Sequence, residues 1–317
     1  MRHGFIGSVL TALLTSSLLA PAARAGQVRV NISNFMFSPS AVNCNSGDHV
    51  VWVWTGGSHS STSGDSNTVT PDSRWDSGLQ IGAAPSNGAS FNWKSTGSGT
   101  FLFYCTPHAP AMAGRVIAAA SGVPVSDFRI SEVLYNAASG SQLIEITNFG
   151  AAAGNLGRYR LSIATGVAVS ITLDDVAVPA GGTLTIHANA SGTNTATDLF
   201  LATLPALPAT GAAALYVPNT KPGATALTDA NQIIDFVQWG AGGGGNEATA
   251  VAAAFWGSGA FVPAVAAGHS IEYCDAPLRH GATHWYDNPT PNFSGGANNC
   301  LTPIRPSSWG RIKSLYR

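Results

Sequence analysis

Charge is what this sequence has least of. Charged side chains are 10% of its 317 residues, against about 25% in an average soluble protein. The formal net charge is −1, so the clustered basic surface that nucleic acid requires is missing. Disorder is excluded as well, because it needs low hydrophobicity and 45% of these residues are hydrophobic. Cysteine is scarce: four in the whole chain, too few for a disulfide scaffold, so each needs its own explanation. Beyond the N-terminal segment no apolar run approaches the ~20 residues that a membrane-spanning helix needs. Apolar spacing of helical period is nearly absent, and the 36 glycines follow no collagen repeat. The run Gly242–Gly245 does not lead from a strand into a helix with a Lys, which excludes a phosphate-binding loop.

What is present begins with a targeting segment. Arg2 and His3 open the chain, Phe5 to Ala20 is mostly apolar, and Ala23-Arg24-Ala25 is a small-x-small cleavage site. These features read as a secretory signal peptide over residues 1–25, with the mature chain beginning near Gly26. A secreted, periplasmic or cell-surface protein follows, in an oxidising compartment where disulfides persist. Without this segment the chain has 13 basic and 16 acidic side chains, net −3, unevenly spread. Residues 26–120 are neutral, residues 121–300 carry −7, and the last 17 residues carry +4.

Short β-branched and aromatic runs recur between Gly, Ser, Asn and Pro clusters, the pattern of an all-β protein. Strands are predicted near Val28–Ile32, Val50–Trp54, Ala89–Trp93, Thr100–Tyr104 and Arg115–Ala119. A second group is predicted near Phe128–Tyr135, Gln142–Asn148, Arg158–Ala164, Ser170–Leu173, Thr183–Asn189, Ile233–Trp239 and His269–Tyr273, with a helical turn or two in Ala248–Phe255. His49–Trp54 (HVVWVW) is apolar on both faces after its first residue, as a strand inside a sandwich would be. The composition shifts at Ala118–Pro124. The expected organisation is a first domain over 26–120, a linker over 121–127, a second domain over 128–300 and a basic tail over 301–317.

The segment Phe103–Gly114 (FYCTPHAPAMAG) carries the chemistry. It puts Cys105, His108 and Met112 on one short loop after a strand. Thiolate, imidazole and thioether form the ligand set that soft copper prefers over hard cations. A trigonal site needs a second imidazole, and His59, in the loop after Val50–Trp54, is the candidate. His49, at a strand start, reads as structural.

Residues 26–120 resemble the cupredoxins, the blue-copper family of plastocyanin, pseudoazurin and amicyanin. The resemblance rests on Asn34-Phe35-Met36-Phe37-Ser38-Pro39, the Gly47-Asp48 turn and the Phe103–His108 run. It implies a Greek-key β-sandwich and one type 1 copper held by His59, Cys105 and His108, with Met112 as a weak axial ligand. Three residues separate His108 from Met112, a departure from plastocyanin-like and amicyanin-like loops. The carbonyl of Ser58 is the alternative axial donor. Ser60 stands where many relatives have Asn, and by that analogy ties the two ligand loops together. Tyr104, before the ligand Cys, is placed on a second electron path by the same analogy. Pro107, Ala109, Pro110, Ala111 and Ala113 flank the site as a small apolar docking face for a redox partner, one that a neutral domain does not steer by charge over long range. The chain lacks both the second loop cysteine of a copper-A centre and the paired-histidine motifs of multicopper oxidases.

Residues 128–300 resemble the lamin-tail domain of bacterial secreted proteins, an immunoglobulin-like β-sandwich. The residues concerned are Ile130–Tyr135, Leu143–Asn148, Ile234–Gly240 and Pro289–Asn292. In that family Glu132 and Glu145 are strand residues with structural hydrogen bonds, not an acid–base pair. His280 and His284, without a third ligand nearby, read as surface residues. Cys274 and Cys300 bracket the last loop and are the natural disulfide of a secreted chain, which leaves Cys44 unexplained. The tail (TPIRPSSWGRIKSLYR) reads as a frayed end, an anchoring segment or a docking strip for an anionic surface.

Together these features point to a secreted blue-copper electron carrier with an appended binding or anchoring module, not an enzyme by itself. The alternatives are a copper-handling protein without a redox partner, and a cell-surface interaction protein in which copper is secondary. No nucleic-acid partner and no transmembrane span are expected.

Overall fold

The computed structural model describes residues 25–82, 88–138, 140, 142–164, 168–221, 227–275 and 279–293. The expected signal segment, apart from Ala25, therefore lies outside the described residues, as do Cys300 and the basic tail. Among the described residues no helix is long and apolar enough to cross a membrane.

The first part is built from β1 (Gln27–Ser33), β2 (Met36–Ser38), β3 (Ala41–Asn45), β4 (His49–Trp54), β5 (Ser58–His59), β6 (Thr62–Asp65), β7 (Thr70–Asp76), β8 (Gln80–Ile81), β9 (Ser90–Lys94), β10 (Gly99–Tyr104) and β11 (Ala113–Ala119). One sheet has the order β2-β1-β4-β9 and the other β3-β11-β10-β6-β7. The pairs β1/β4 and β3/β11 are parallel. All six residues of β4 are buried, as its unbroken apolar run requires of an inner strand.

Aromatic rings fill the space between the two sheets. Trp52 lies 5.3 Å from Trp75 and 5.5 Å from Phe103, and Trp75 lies 4.5 Å from Trp93, ring centre to ring centre. These spacings fall in the range in which aromatic pairs attract beyond simple burial. Trp52 is 0% exposed, so its truncation to Ala would cost about 3–5 kcal/mol through lost burial and the cavity left behind.

Strands β1 and β2 form a hairpin in which Ser33 faces Met36. Asn34 and Phe35 are its two-residue loop, at φ 47° and 61°. Two positive φ values in succession match the twist of a hairpin, and Asn-Gly is the favoured sequence there. Asn34 fits. Phe35 stands where Gly is favoured, at a cost of roughly 1–2 kcal/mol for an L-residue.

The second part has two larger sheets. One runs, in spatial order, Asp198–Leu201, Thr183–Ala188, Gln142–Asn148, Phe128–Leu134, Ser270–Tyr273, Trp285–Asn288. The other runs Ala168–Thr172, Arg160–Ala164, Gly211–Tyr216, Ile233–Gly240, Val262–Pro263. Both contribute to one hydrophobic core that includes Ile130, Ile144, Leu161, Leu215 and Trp239. Glu132 and Glu145 are 0% exposed. Ser131 donates to Glu145 at 2.6 Å and Asn288 to Glu132 at 3.1 Å.

One expectation is corrected here. His280 and His284 are not free surface residues: both are only partly exposed, and each is paired with a carboxylate. The His280 side chain is 11% exposed, stacks on Phe255 at 4.0 Å and lies 3.2 Å from the Asp235 carboxylate. The His284 side chain is 16% exposed and lies 3.7 Å from Asp275. Both carboxylates are themselves buried, and a buried charge needs a partner.

Residues 121–127 join the two parts without running free. The Gln27 N–H donates to Ser126 O at 2.8 Å and Ser126 Oγ to Gln27 O at 2.7 Å. Asn45 Oδ1 accepts from the Val123 N–H at 2.8 Å. A second junction covers β9, an edge of its sheet. The Thr220 N–H donates to Ser90 O, the Ser90 N–H donates to Thr220 Oγ1, both at 2.8 Å, and Asn92 Nδ2 donates to Pro218 O at 3.0 Å. Unpaired edge groups are an invitation to aggregation, and here the second part supplies their partners.

Candidate metal centre

The site is assembled by two turns at the same end of the first sandwich. Strand β10 delivers Cys105, and one 3₁₀ turn, Thr106–His108, follows at once. The loop closes on itself: the Cys105 N–H donates to Met112 O at 2.9 Å and the Met112 N–H to His108 O at 3.0 Å. His59 comes from β5, a two-residue strand paired with β8. Its carbonyl accepts from Trp54 Nε1 at 2.9 Å, so a core tryptophan fixes the backbone of the ligand.

His59 Nδ1, Cys105 Sγ and His108 Nδ1 form a triangle. The two nitrogens are 3.1 Å apart, and the sulfur lies 3.2 Å from His108 and 3.7 Å from His59. Among the described residues this is the one group of three His, Cys or acidic side chains that could hold a metal ion. A point equidistant from these three atoms lies about 1.9 Å from each, within a few tenths of an ångström of the roughly 2.0–2.3 Å bonds that a first-row metal makes to imidazole and thiolate. The donor set and its spacing therefore fit a trigonal copper site.

Burial acts in opposite senses on the metal-binding forms of the two donors. Burial pushes the Cys105 thiol up from its usual range, against the pull of hydrogen bonds from Ser60 and His108. Burial, with some help from His108, holds the His59 imidazole down. A neutral imidazole is the form that binds metal, and a buried thiol gives up its proton when a cation takes its place.

Supporting groups converge below the triangle. The Ser60 N–H donates to Cys105 Sγ at 3.3 Å. Ser60 Oγ accepts from the Thr106 N–H at 2.8 Å, so Ser60 bridges the two ligand loops. Thr62 Oγ1 lies 3.0 Å from both Thr106 Oγ1 and Asp76 Oδ1. Lys221 of the second part donates to the Asp76 carbonyl. Gly57, at φ +74°, leaves no room for a side chain: a Cβ there would sit 2.4 Å from His59 Nε2.

Met112 is 2% exposed and belongs to the same core cluster as Cys105. Ser58 lies in β5 and is exposed. Tyr104 is 1% exposed, so an electron path through it has no surface end at that residue. Cys44 is buried and free, its thiol pushed up to about 11, by burial first and Asp48 second. Nothing in the sequence marks Thr62, Asp76, Lys221 or Gly57, whose spacing carries no motif, and Phe35 stands out there only as part of a family resemblance.

Solved structures of similar shape include a reduced amicyanin variant, 20% identical, with a TM-score of 0.25 over 30% of this chain and 83% of that one. Amicyanin from Paracoccus versutus is 19% identical, with a TM-score of 0.23 over 32% of this chain and 85% of its own. A fern plastocyanin variant is 23% identical, with a TM-score of 0.24 over 29% of this chain and 100% of its own. Comparison with curated protein sequences gives no match. Residues 24–119, which hold His59, Cys105, His108 and Met112, match the family described as copper binding proteins, plastocyanin/azurin family.

Proposed function

We propose that this chain is a secreted type 1 copper protein that carries single electrons, with Met112 as the axial donor and the second sandwich as a lamin-tail-like binding or anchoring module. The observation that carries the reading is the triangle of His59, Cys105 and His108, closed within 3.7 Å inside a segment that matches a copper-binding family. Bound copper supplies a one-electron couple whose potential the axial ligand and the surroundings of the thiolate tune. The residues of the chain do the rest. The Cys105–Met112 loop is closed by its own backbone bonds, and Ser60 ties it to the His59 loop, so the donors keep their places through a change of one charge. The Ser60 N–H stabilises the sulfur as thiolate. The burial of Met112 beside Cys105 in one apolar cluster supports the axial role and keeps water from the sulfur. Half-buried His108 is the ligand within reach of a redox partner at the surface. A Cys274–Cys300 disulfide in the second module would contribute ~2–4 kcal/mol in the exported protein.

The deciding experiment is optical. Purified protein reconstituted with Cu(II) should be intensely coloured by thiolate-to-copper charge transfer, and Cys105→Ala should abolish the band. A colourless Cu(II) protein overturns the reading.

A further inference from the structure

Phe35 is an exposed aromatic in a place that sterics disfavour. It occupies the second position of the β1–β2 hairpin loop at φ 61°, where Gly is the favoured residue. The residue is 68% exposed, so burial in the hydrophobic core does not account for it. Backbone strain of this kind persists only where the surroundings hold it in place, commonly at functional sites. The ring touches both histidines of the metal centre. The Phe35 ring lies 4.7 Å from His108 at an interplanar angle of 86°, and 5.6 Å from His59 at 89°. Both contacts are edge-to-face, the geometry in which aromatic rings attract. The imidazoles are tilted 54° to each other with centres 4.9 Å apart, and one phenyl ring serves both.

We propose that Phe35 is a lid and positioning residue for the copper site: it holds the His59 and His108 rings in their ligand orientations from the solvent side and keeps water off them. The inference rests on the copper reading above. The backbone of the ligand loops is already fixed by Ser60, Trp54 and the closed Cys105–Met112 loop. Imidazole rotation is the freedom those bonds leave open, and an edge-to-face ring restrains rotation directly. The hairpin loop accepts a strained residue because its side chain serves the neighbouring site.

This role gives opposite signs for fold stability and for the metal centre. Phe35→Gly supplies the residue that the turn prefers and deletes the lid. The metal-free variant should melt at or above the temperature of the metal-free parent. The copper form should pass its metal to a competing chelator about tenfold faster, as expected when two edge-to-face ring contacts are lost. Phe35→Asn, which tolerates positive φ, should behave in the same way, and Phe35→Tyr should restore slow release. Copper release at the parental rate in both Phe35→Gly and Phe35→Asn overturns the lid. So does a metal-free Phe35→Gly protein that melts well below the parent, since the ring would then be serving the fold. The charge-transfer band of the parent protein is read first. Its absence overturns the copper reading and the lid with it, whereas a coloured parent with unchanged release counts against the lid alone.

Discussion

Ser60 joins the two ligand loops to each other: its Oγ accepts from the Thr106 N–H at 2.8 Å, and its own N–H points at Cys105 Sγ from 3.3 Å. One residue thus holds the sulfur and the turn that follows it. Ser60→Ala removes the first bond and keeps the second. The expected loss is about 1 kcal/mol of stability, read by urea unfolding of the copper form. The charge-transfer band should persist, because the N–H to sulfur contact comes from the backbone. A colourless variant would mean that the hydroxyl, and not the backbone, governs the sulfur.

Gly57→Ala tests the space behind His59. The substitution combines a positive φ of 74° with a Cβ placed 2.4 Å from His59 Nε2. Backbone strain of roughly 1–2 kcal/mol follows from the φ alone, and the imidazole must shift to clear the methyl group. Copper affinity should fall more than the stability of the metal-free protein. Titration with a competing chelator, set beside a thermal melt, separates the two effects. An unchanged affinity would show that the His59 ring has room to yield.

Two buried groups give opposite pH dependence. His49 is 1% exposed, and burial, with help from Lys94, lowers its pKa from 6.5 to about 3. Between those values the unfolded chain takes up a proton that the folded chain refuses, so stability falls as pH drops from about 6.5 towards 3, by up to about 1.4 kcal/mol per pH unit. Glu132 is raised from 4.5 to about 7, first by burial, with Glu272 and Glu145 adding to it. Here the folded chain holds the proton more tightly, so the contribution is fully present below pH 4.5 and is lost as pH rises through 7. Between pH 4.5 and 6.5 the two slopes oppose each other. Denaturant unfolding of metal-free His49→Gln should lose part of the acid sensitivity, and Glu132→Gln should lose part of the alkaline sensitivity. Parallel pH profiles for parent and variant would refute the assignment in either case.

The two junctions between the sandwiches are expected to differ in strength. Thr220→Ala removes the acceptor of the Ser90 N–H, on a residue that is 1% exposed. A buried donor left unpaired costs about 1–3 kcal/mol. Arg29→Ala breaks an ion pair with Asp175 whose side chains are 19% and 32% exposed, and pairs of this kind contribute ~1 kcal/mol or less. Urea midpoints should therefore fall further for Thr220→Ala than for Arg29→Ala. The reverse order would place the main hold between the sandwiches at the ion pair.

Some of this was readable from the sequence because the information is local. The alternation in β1 and the apolar run of β4 depend on neighbours a few residues apart, and both strands fall close to where their patterns place them. Cys105, His108 and Met112 are adjacent enough that any fold keeps them on one loop. The strands that escaped have no such signature. Thr62–Asp65 (TSGD) is polar and holds a glycine, yet it is a strand because β10 and β7 lie on either side of it. Gly211–Tyr216 (GAAALY) lacks β-branched residues and is fully buried between two partner strands. Neither fact is visible until distant segments meet.

The sequence by itself determined the all-β character and the identity of the soft donors, because residue chemistry and short-range periodicity suffice for both. Only the tertiary structure brought the second imidazole, which the sequence names as His59, to the other two donors. His59 and His108 are 49 positions apart, and their Nδ1 atoms meet because β5 and the turn after β10 lie at the same end of one sandwich. The same holds for Phe35, whose ring reaches both histidines from a turn 24 and 73 positions away. The packing of His280 against Asp235 and Phe255 likewise depended on contacts across the second part. Contacts between distant segments are set by sheet pairing and core packing, which no local pattern of side chains encodes.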